Sequence, residues 1–564
     1  MDAKLAIAKS LARATGLPEA ELAGYIEIPP DSALGDYAFP CFRLAKALRK
    51  APPAIAAELK EKLSLPEGVE RAEVAGGYLN FFADKANLAG KTISRALAEG
   101  DAYGGADIGQ GKNVCVEFSS INIAKPFHIG HLPTTAIGNA LNRIYRALGY
   151  NTVAINHLGD WGTQFGKMIV AYKLWGESKP IEESTVRELV RLYVRFHEEA
   201  EKDKSLNDEA RKWFRKIEEG DPEAVDLWQR FKDLTLREVG EVYELLGVRF
   251  DSYAGESFYE DKMQAIIDEL DQKGLLVTDQ GAKIVDLSEW NMPPCIIVKS
   301  DGATLYATRD LAAARYRKKT YDFVKSLYVV AYQQNLHFRQ FFKVLELLGD
   351  AWVKDCEHVN FGMVSMEEGT LSTRHGNVVY LEDVLKASIE KTLDIIKEKS
   401  PDLENKEEAA RAVGVGAIVW GVLYNSRIKD TSFSWAKVLN FDGETGPYAQ
   451  YTHARCCSVL RKAGGYDQKG VDYALLKEES AEALVKAIAQ LPDTVKTAAE
   501  KNEPYLVARS VIDVSAAFNK FYYECRILED DPKVRRARLA LTDAARQTIR
   551  NGLYLLGLEA PERM

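Results

Sequence analysis

Residues 114–148, VCVEFSSINIAKPFHIGHLPTTAIGNALNRIYRAL, decide how the rest of the chain is read. Val114–Phe118 is short, β-branched and apolar, as a buried strand is. Ser119–Phe127 is polar and holds a proline, which predicts a loop. After His128-Ile129-Gly130-His131, apolar residues recur at Leu132, Ile137, Leu141, Ile144 and Leu148, a helical spacing. Pro133 falls in the first turn, where a missing N–H costs little. A strand, a tight turn and a helix N-terminus carrying two imidazoles make a phosphate site, because the helix start offers unpaired N–H groups and a positive dipole end. His128 and His131, three apart, share one face there. Gly130 is expected to leave room for a flat base against the backbone.

The bulk composition narrows the class. A chain of 564 residues splits into roughly three or four domains, and 46% hydrophobic content is ordinary for a globular protein. No apolar run reaches the ~18 residues of a membrane span. The N-terminal MDAKLAIAKSLARATG spaces Lys and Arg through Ala and Leu as an amphipathic helix does, without the apolar core of a signal peptide. No membrane partner is expected. Cysteines at 41, 115, 295, 356, 456, 457 and 525 form no CxxC pair. That pattern suits reduced thiols in a cytoplasm and argues against a zinc knuckle, so no structural metal is expected. A formal charge of −9 excludes a uniformly basic nucleic-acid binder, but a local stripe is enough to meet phosphates.

Taken in order, residues 1–85 read as a small α+β domain. Within it Asp36-Tyr37-Ala38-Phe39-Pro40-Cys41-Phe42 reads as a loop that packs its aromatics, and Val74–Phe82 alternates as an edge strand does. Residues 86–111 are expected to be a linker, the Gly- and Asp-rich stretch 100–112 most clearly. From 112 to about 360 strands alternate with helices, the pattern of a doubly wound parallel sheet. Its second strand, Asn151–Ile155, ends in NHLGDWGTQFG (156–166), whose glycines, carboxylate and amide suit a ligand-lining loop. Residues 177–240 are charged helices, read as an insertion outside the sheet with no assigned chemistry. Asp310 stands where a helix cap is the commoner role. Residues 361–404 connect the sheet to a region that is helical from about 405 to 564. There Pro447 starts a helix with Tyr448, Tyr451 and Arg455 on one face, and Lys533, Arg535, Arg536, Arg538, Arg546 and Arg550 form the densest basic cluster of the chain.

The run NIAKPFHIGHL (122–132) resembles the HIGH signature of class I aminoacyl-tRNA synthetases, in its arginyl-tRNA synthetase form. NHLGDWGTQFG, YATRD (306–310), QQNLHF (333–338), STRHGN (372–377) and FDGETGPYAQYTHARC (441–456) resemble the same family, and together they cover essentially the whole chain. The resemblance implies an α/β fold: a doubly wound, Rossmann-like catalytic domain between a small N-terminal domain that contacts the tRNA elbow and an all-α anticodon-binding domain. It implies ligation of L-arginine to tRNA(Arg) with ATP and its Mg2+, by a monomer. Lys125, His128, Gly130, His131 and Arg374 would serve catalysis; Gly159, Asp160, Ser372, Thr373 and Arg374 would join the histidines and Gly130 around ATP. Ser119, Asn122, His131, Tyr306, Asp310 and Gln334 would bind arginine, whose planar, five-donor guanidinium is best held by a carboxylate in a forked pair. Tyr37, Phe39, Tyr448, Tyr451, Arg455, Arg535, Arg536 and Arg538 would meet tRNA, the aromatics by stacking on unpaired bases. The chain departs from the family pattern at Ile121, Pro133, Thr370, Thr373 and His375; the two loop lysines of class I enzymes are absent. A weakened paralogue that binds tRNA without charging it is the alternative those departures leave open.

Overall fold

The computed structural model describes residues 3–176, 180–300, 302, 304, 306–367 and 378–564. Ser372, Thr373, Arg374 and the neighbouring Thr370 and His375 lie outside the described residues. The chain forms two compact units, one of Met1–Gly100, Val459–Ala489 and Ala517–Ala545, the other of Asp101–Ser458, Gln490–Ala516 and Arg546–Met564.

In the first unit, strands β1 (Tyr37–Pro40), β2 (Val69–Ala75) and β3 (Tyr78–Ala83) make an antiparallel sheet in the order β1-β3-β2. Two expectations change here. The aromatic stretch 36–42 is not a loop, because Tyr37–Pro40 pairs with Tyr78–Phe81. The alternating run 74–82 is the end of one strand and most of the next. Gly76, with φ 59°, makes the turn of a hairpin, and β3 is the central strand. The supposed linker also shortens: Lys85–Glu99 is a helix, capped by Asp84, whose carboxylate accepts the Asn87 N–H at 2.9 Å.

In the second unit, β4 (Asn113–Glu117) and β5 (Asn151–Ile155) are parallel neighbours. A small antiparallel sheet follows, β6 (Leu276–Asp279), β7 (Ala282–Val285) and β8 (Cys295–Val298). The chain then returns with β9 (Lys325–Tyr328) on the other side of β4 and β10 (Cys356–His358) beyond it, giving the parallel order β10-β9-β4-β5. The strand order thus reverses at β4, and in such sheets ligands bind outside the C-terminal strand ends at that point. Val114–Glu117 are all buried, as a strand covered on both faces requires. The helix Leu132–Ala147 lies so close to the end of β4 that a Cβ on Gly138 would stand 2.2 Å from Phe118. The insertion is helical as expected, Val186–Lys202, Ser205–Glu218 and Pro222–Leu245. Beyond 405 come the helices Lys406–Leu423, Gly446–Ala463, Glu479–Lys501, Tyr505–Glu524 and Pro532–Leu555. No helix of the described residues is long and apolar enough to cross a membrane. All seven cysteines are free thiols, six of them buried. Burial pushes the Cys41 thiol up to about 11 and those of Cys115, Cys295 and Cys356 to about 12.

Candidate active site

The two signature histidines cap their own turn. Ile129–His131 is one 3-10 turn leading into the helix Leu132–Ala147, with His128 as its N-cap. The His128 ring accepts the Gly130 N–H through Nδ1 at 3.1 Å, and the His131 ring accepts the His128 N–H through Nδ1 at 3.2 Å. The ring centroids are 4.1 Å apart. Burial lowers the pKa of both rings, and with His128 beside it His131 falls to about 4. A neutral imidazole that accepts through Nδ1 carries its proton on Nε2. His128 therefore offers an Nε2–H donor; His131 Nδ1 lies both 3.2 Å from the His128 N and 3.3 Å from the His128 carbonyl oxygen, so either of its nitrogens can carry the proton. Gly130 serves a different purpose from the one expected: a Cβ there would stand 2.8 Å from the His128 ring, so the glycine admits its own capping imidazole.

The loop before the turn is held in a strained form. Ser119, Ser120 and Ala124 have φ of 67°, 46° and 57°, a region non-glycine residues avoid. Ser119 donates its N–H to Thr134 Oγ1 at 3.0 Å, and its hydroxyl lies 2.7 Å from Tyr243 OH. Asn156 Nδ2 donates to that same phenol at 2.9 Å, and Ala124 N–H to Thr235 Oγ1 at 3.1 Å. Tyr243 and Thr235 belong to the insertion helix Pro222–Leu245. The insertion, assigned no chemistry from sequence, thus braces the signature loop. Buried Ser119 is engaged on every side, whereas Ser120 Oγ and Asn156 Oδ1 are buried with no hydrogen-bond partner among the described residues. Ser120 and Asn156 follow the C-terminal ends of β4 and β5, where an open parallel sheet binds its ligand.

Asn122 and Lys125 are exposed. Asn122 forms a bridge to Gly159, where a Cβ would stand 2.2 Å from Asn122 Oδ1 and would push that amide aside. Asp160 does not face the cleft. It is 0% exposed, takes Lys232 Nζ at 2.6 Å and both the N–H and hydroxyl of Ser257, and accepts the Trp228 indole N–H on its carbonyl. Its carboxylate ties the NHLGDWG loop to the insertion, and removing Lys232 would strand a buried charge at about 3–5 kcal/mol.

Of the arginine-site candidates, Asp310 and Tyr306 share one neighbour, His337. Asp310 lies in the fifth position of the helix Tyr306–Tyr321, not at its cap. Its Oδ2 accepts His337 Nε2 at 2.6 Å, and its Oδ1 lies 4.0 Å from His157 Nε2. Desolvation works to raise its pKa, but the His337 bond and the charges of His337, His157 and Arg317 outweigh it and hold the group below the usual carboxylate range. Arg317 donates Nη2 to His157 Nδ1 at 3.3 Å and pairs through Nη1 with Glu117 at 2.5 Å. Because guanidinium cannot accept, His157 keeps its proton on Nε2, facing Asp310. Tyr306, 53% exposed, sets its ring edge-on to His337 at 4.8 Å. Gln334, in the 3-10 turn Tyr332–Gln334, is exposed. Sequence reasoning missed His337, His157, Glu117 and Arg317. A glutamate ending the apolar run VCVE was a readable signal, and both histidines stood inside quoted motifs; nothing in LAAARYRKK set Arg317 apart from its basic neighbours.

The tRNA candidates divide. Phe39 is fully buried in the core of the N-terminal sheet and Tyr37 is packed against it, so Phe39 cannot touch RNA. Tyr448 and Arg455 are half-buried and Tyr451 exposed on the helix Gly446–Ala463, with the Arg455 guanidinium 4.9 Å over the Tyr451 ring. Arg535 is exposed and Arg536 half-buried. Arg538 is not available: 11% exposed, it pairs with Glu478 at 2.5 Å and Glu529 at 3.4 Å. Residues 127–129 pair with 379–381 (Ile129 N–H to Val379 O at 3.0 Å, Leu381 N–H to Phe127 O at 3.0 Å), so the chain resumes beside the histidines right after the segment that holds Arg374. No group of three or more His, Cys, Asp or Glu that could hold a metal ion occurs among the described residues.

Comparison with known proteins fits this geometry. The family described as tRNA synthetases class I (R), catalytic domain, matches residues 92–435; the DALR anticodon binding domain matches 449–564 and the arginyl tRNA synthetase N terminal domain 1–83. The chain is 54% identical to the arginine–tRNA ligase of Clostridioides difficile (strain 630) over the full length of both. It is likewise 54% identical to that of Halothermothrix orenii, over 96% of each chain. Among solved structures it resembles Thermus thermophilus arginyl-tRNA synthetase, with a TM-score of 0.78 and 27% identity over 99% of this chain and 100% of that one.

Proposed function

The chain belongs to the class I arginyl-tRNA synthetases and is an ATP-dependent arginine–tRNA ligase, and we propose that both steps of its reaction run at the C-terminal ends of β4 and β5. The observation that carries this reading is the pair of imidazoles capping one turn at the start of the helix that follows β4.

In the first step the arginine carboxylate attacks the α-phosphate of ATP in line and pyrophosphate leaves. In the second a ribose hydroxyl of the terminal adenosine of tRNA(Arg) attacks the adenylate and AMP leaves. Neither step needs a covalent enzyme intermediate, so catalysis is positioning plus stabilisation of charge developing on phosphate oxygens. His128, through its Nε2–H, and His131 donate to those oxygens, and Lys125 adds a positive charge. Ser120 Oγ and Asn156 Oδ1 accept from the ammonium of arginine, with Asn122 beside them. Asp310 receives the guanidinium, flanked by Tyr306 and Gln334. Mg2+ arrives on the phosphates of the nucleotide as part of the substrate; the described residues supply no carboxylate or thiolate cage for it. Arg374, Ser372 and Thr373 complete the phosphate end, with Arg374 the cation in place of the absent lysines.

Tyr451 and Arg455, with Tyr448, face unstacked bases, and Arg535 and Arg536 meet phosphates. The protein acts as a monomer in the cytoplasm. No observation favours the weakened paralogue, since the histidine turn and the carboxylate pocket are both built. The test is pyrophosphate exchange with arginine, lysine and citrulline in turn, tRNA present, followed by aminoacylation of purified tRNA. Exchange and charging with arginine alone support the reading; tRNA binding without exchange would overturn it.

A further inference from the structure

Arg427 lies between the helix Lys406–Leu423 and the strand Thr431–Phe433, beside residues 360–362, which follow β10. Its carbonyl accepts the Gly362 N–H at 2.8 Å. Its Nη1 donates to the Asn360 backbone carbonyl and, at 2.7 Å, to Asn360 Oδ1. One residue thus grips the segment on both sides of Phe361. The two stretches run so close that a Cβ on Gly362 would stand 2.5 Å from the Lys429 backbone. What the grip holds leads to the arginine pocket. The carbonyl of buried Phe361 accepts the N–H of Tyr332, first residue of the 3-10 turn Tyr332–Gln334, at 3.0 Å. Just past that turn, Asn360 Nδ2 donates to Asn335 Oδ1 at 3.0 Å.

The guanidinium is itself aimed from behind. Nε donates to the Asn502 carbonyl at 3.1 Å and stands 3.8 Å from Glu503 Oε1. Glu503 also accepts the Arg427 N–H and the Ser426 hydroxyl, each at 3.2 Å. Asn502 is fully buried with φ of 50°, a left-handed position that Asn tolerates better than most residues. Asn502-Glu503 joins the helices Glu479–Lys501 and Tyr505–Glu524, inside the stretch that matches the anticodon binding domain. We propose that Arg427 is a positioning residue of the arginine site, through which the Asn502-Glu503 turn fixes the turn that holds Gln334. Only a planar guanidinium keeps several donors in one fixed geometry; a lysine there is a single point charge. The same turn has a second tie that leads elsewhere. Tyr145 OH, near the end of the helix Leu132–Ala147, lies 2.9 Å from both the Ala499 carbonyl and Asn502 Oδ1.

This inference rests on Gln334 lining the arginine pocket, and the experiment separates the two. KM for arginine, KM for ATP and kcat are measured by aminoacylation with the full chain at saturating co-substrates, alongside thermal melts. Arg427→Lys keeps the charge beside Glu503 and both backbone bonds but loses the fork. Its KM for arginine should rise about tenfold, because a slightly misplaced binding group is costly, with kcat within a few-fold and KM for ATP unchanged. Asn360→Ala should raise arginine KM about threefold, and the double variant should be no worse than Arg427→Lys alone, since both cut one tie. Tyr145→Phe loosens the same turn on its other side, so it should lower the melting temperature and leave arginine KM where it was. Wild-type arginine KM in Arg427→Lys, an equal rise in ATP KM, effects that add in the double variant, or the same rise in Tyr145→Phe would each overturn the proposal. Should Arg427→Lys fail to fold, Asn360→Ala set against Tyr145→Phe decides. Gln334→Ala supplies the second axis. Unchanged arginine KM there removes that turn from the pocket, and the proposal with it; a raised KM there, with wild-type KM in Arg427→Lys, removes only the role of Arg427.

Discussion

The histidine turn and the carboxylate pocket lie in the same unit and are built by opposite means. The side-chain bonds that cap the turn span two or three residues, His128 to Gly130 and His131 back to His128. The bonds that shape the pocket join Asp310 to His337, 27 residues on, and Arg317 to His157, 160 residues back. The turn caps itself where its own helix starts, and the backbone bond from Ile129 N–H to Val379 O adds a distant tie. The pocket exists only once β4, β5 and the helices after β8 and β9 have come together. A local site carries its stabilising contacts with it; a distributed one borrows rigidity from the whole sheet.

That contrast can be broken by mutation. The largest effect is expected at the turn, where His131→Ala removes one preorganised donor to the transition-state oxyanion and should slow adenylate formation by roughly 10²–10³. Arginine affinity should barely move, and an unchanged rate of pyrophosphate exchange would strike out the donor role. At the pocket, Asp310→Asn keeps size and a partner for His337 while removing the charge. A guanidinium without its anion in a largely dehydrated site costs roughly 2–5 kcal/mol, so kcat/KM for arginine should fall about 30-fold or more, with neutral citrulline losing less. A variant that melts normally and still prefers arginine by the original margin would move guanidinium recognition elsewhere.

Tyr243 tests whether the turn is as self-sufficient as its local bonds suggest. Tyr243→Phe strips one phenol that meets both Ser119 and Asn156, leaving buried groups unpaired at about 1–3 kcal/mol. Adenylate formation should drop about tenfold, and the chemical melt should shift by that energy. A variant with full activity would make the insertion helix mere packing. A smaller effect belongs to the basic cluster: replacing Arg535 and Arg536 by Ala should flatten the salt dependence of tRNA binding by about one to two cation equivalents. Arg538→Ala should instead destabilise the fold, because Glu478 and Glu529 lose their partner. Equal salt slopes in both variants would reduce Arg535 and Arg536 to a solvated face.

A depressed histidine does not by itself mark a site, and His453 shows this. Burial, with Arg546 and Arg550 adding to it against the Pro561 carbonyl, pushes it down to about 4. The unfolded chain takes up that proton near 6.5 and the folded chain resists it to about 4. Stability is therefore whole above 6.5, falls between 6.5 and 4, and levels off below. His453→Gln, able to keep the bond to Pro561 O, should remove on the order of 3 kcal/mol of that acid loss. Melting curves at pH 7 and pH 4.5 with the same difference as wild type would refute it.

The same contrast explains what could be read in advance. The strands Asn113–Glu117 and Asn151–Ile155 and the helix after His131 follow from local periodicity, and so did the histidines. The hairpin at Gly76-Gly77 was signalled by its glycines but masked by the alternation running through it. The residues alone put the Phe39 ring inward and the family resemblance put it on RNA; the pairing of Tyr37–Pro40 with β3 decides for the core. Asp160 and Arg538 looked available for ligands because their partners, Lys232 and Glu478, lie 72 and 60 residues away. No window of sequence contains such pairs.

The seven free thiols give the fold a built-in set of reporters. Mostly buried, they react with a maleimide only as the structure around each one opens. Cys41 and Cys525 belong to one compact unit, and Cys115, Cys295, Cys356, Cys456 and Cys457 to the other. Brief alkylation pulses across a urea series, followed by peptide mass spectrometry, would thus time the loss of each unit separately, with no engineered label and no probe in the active site.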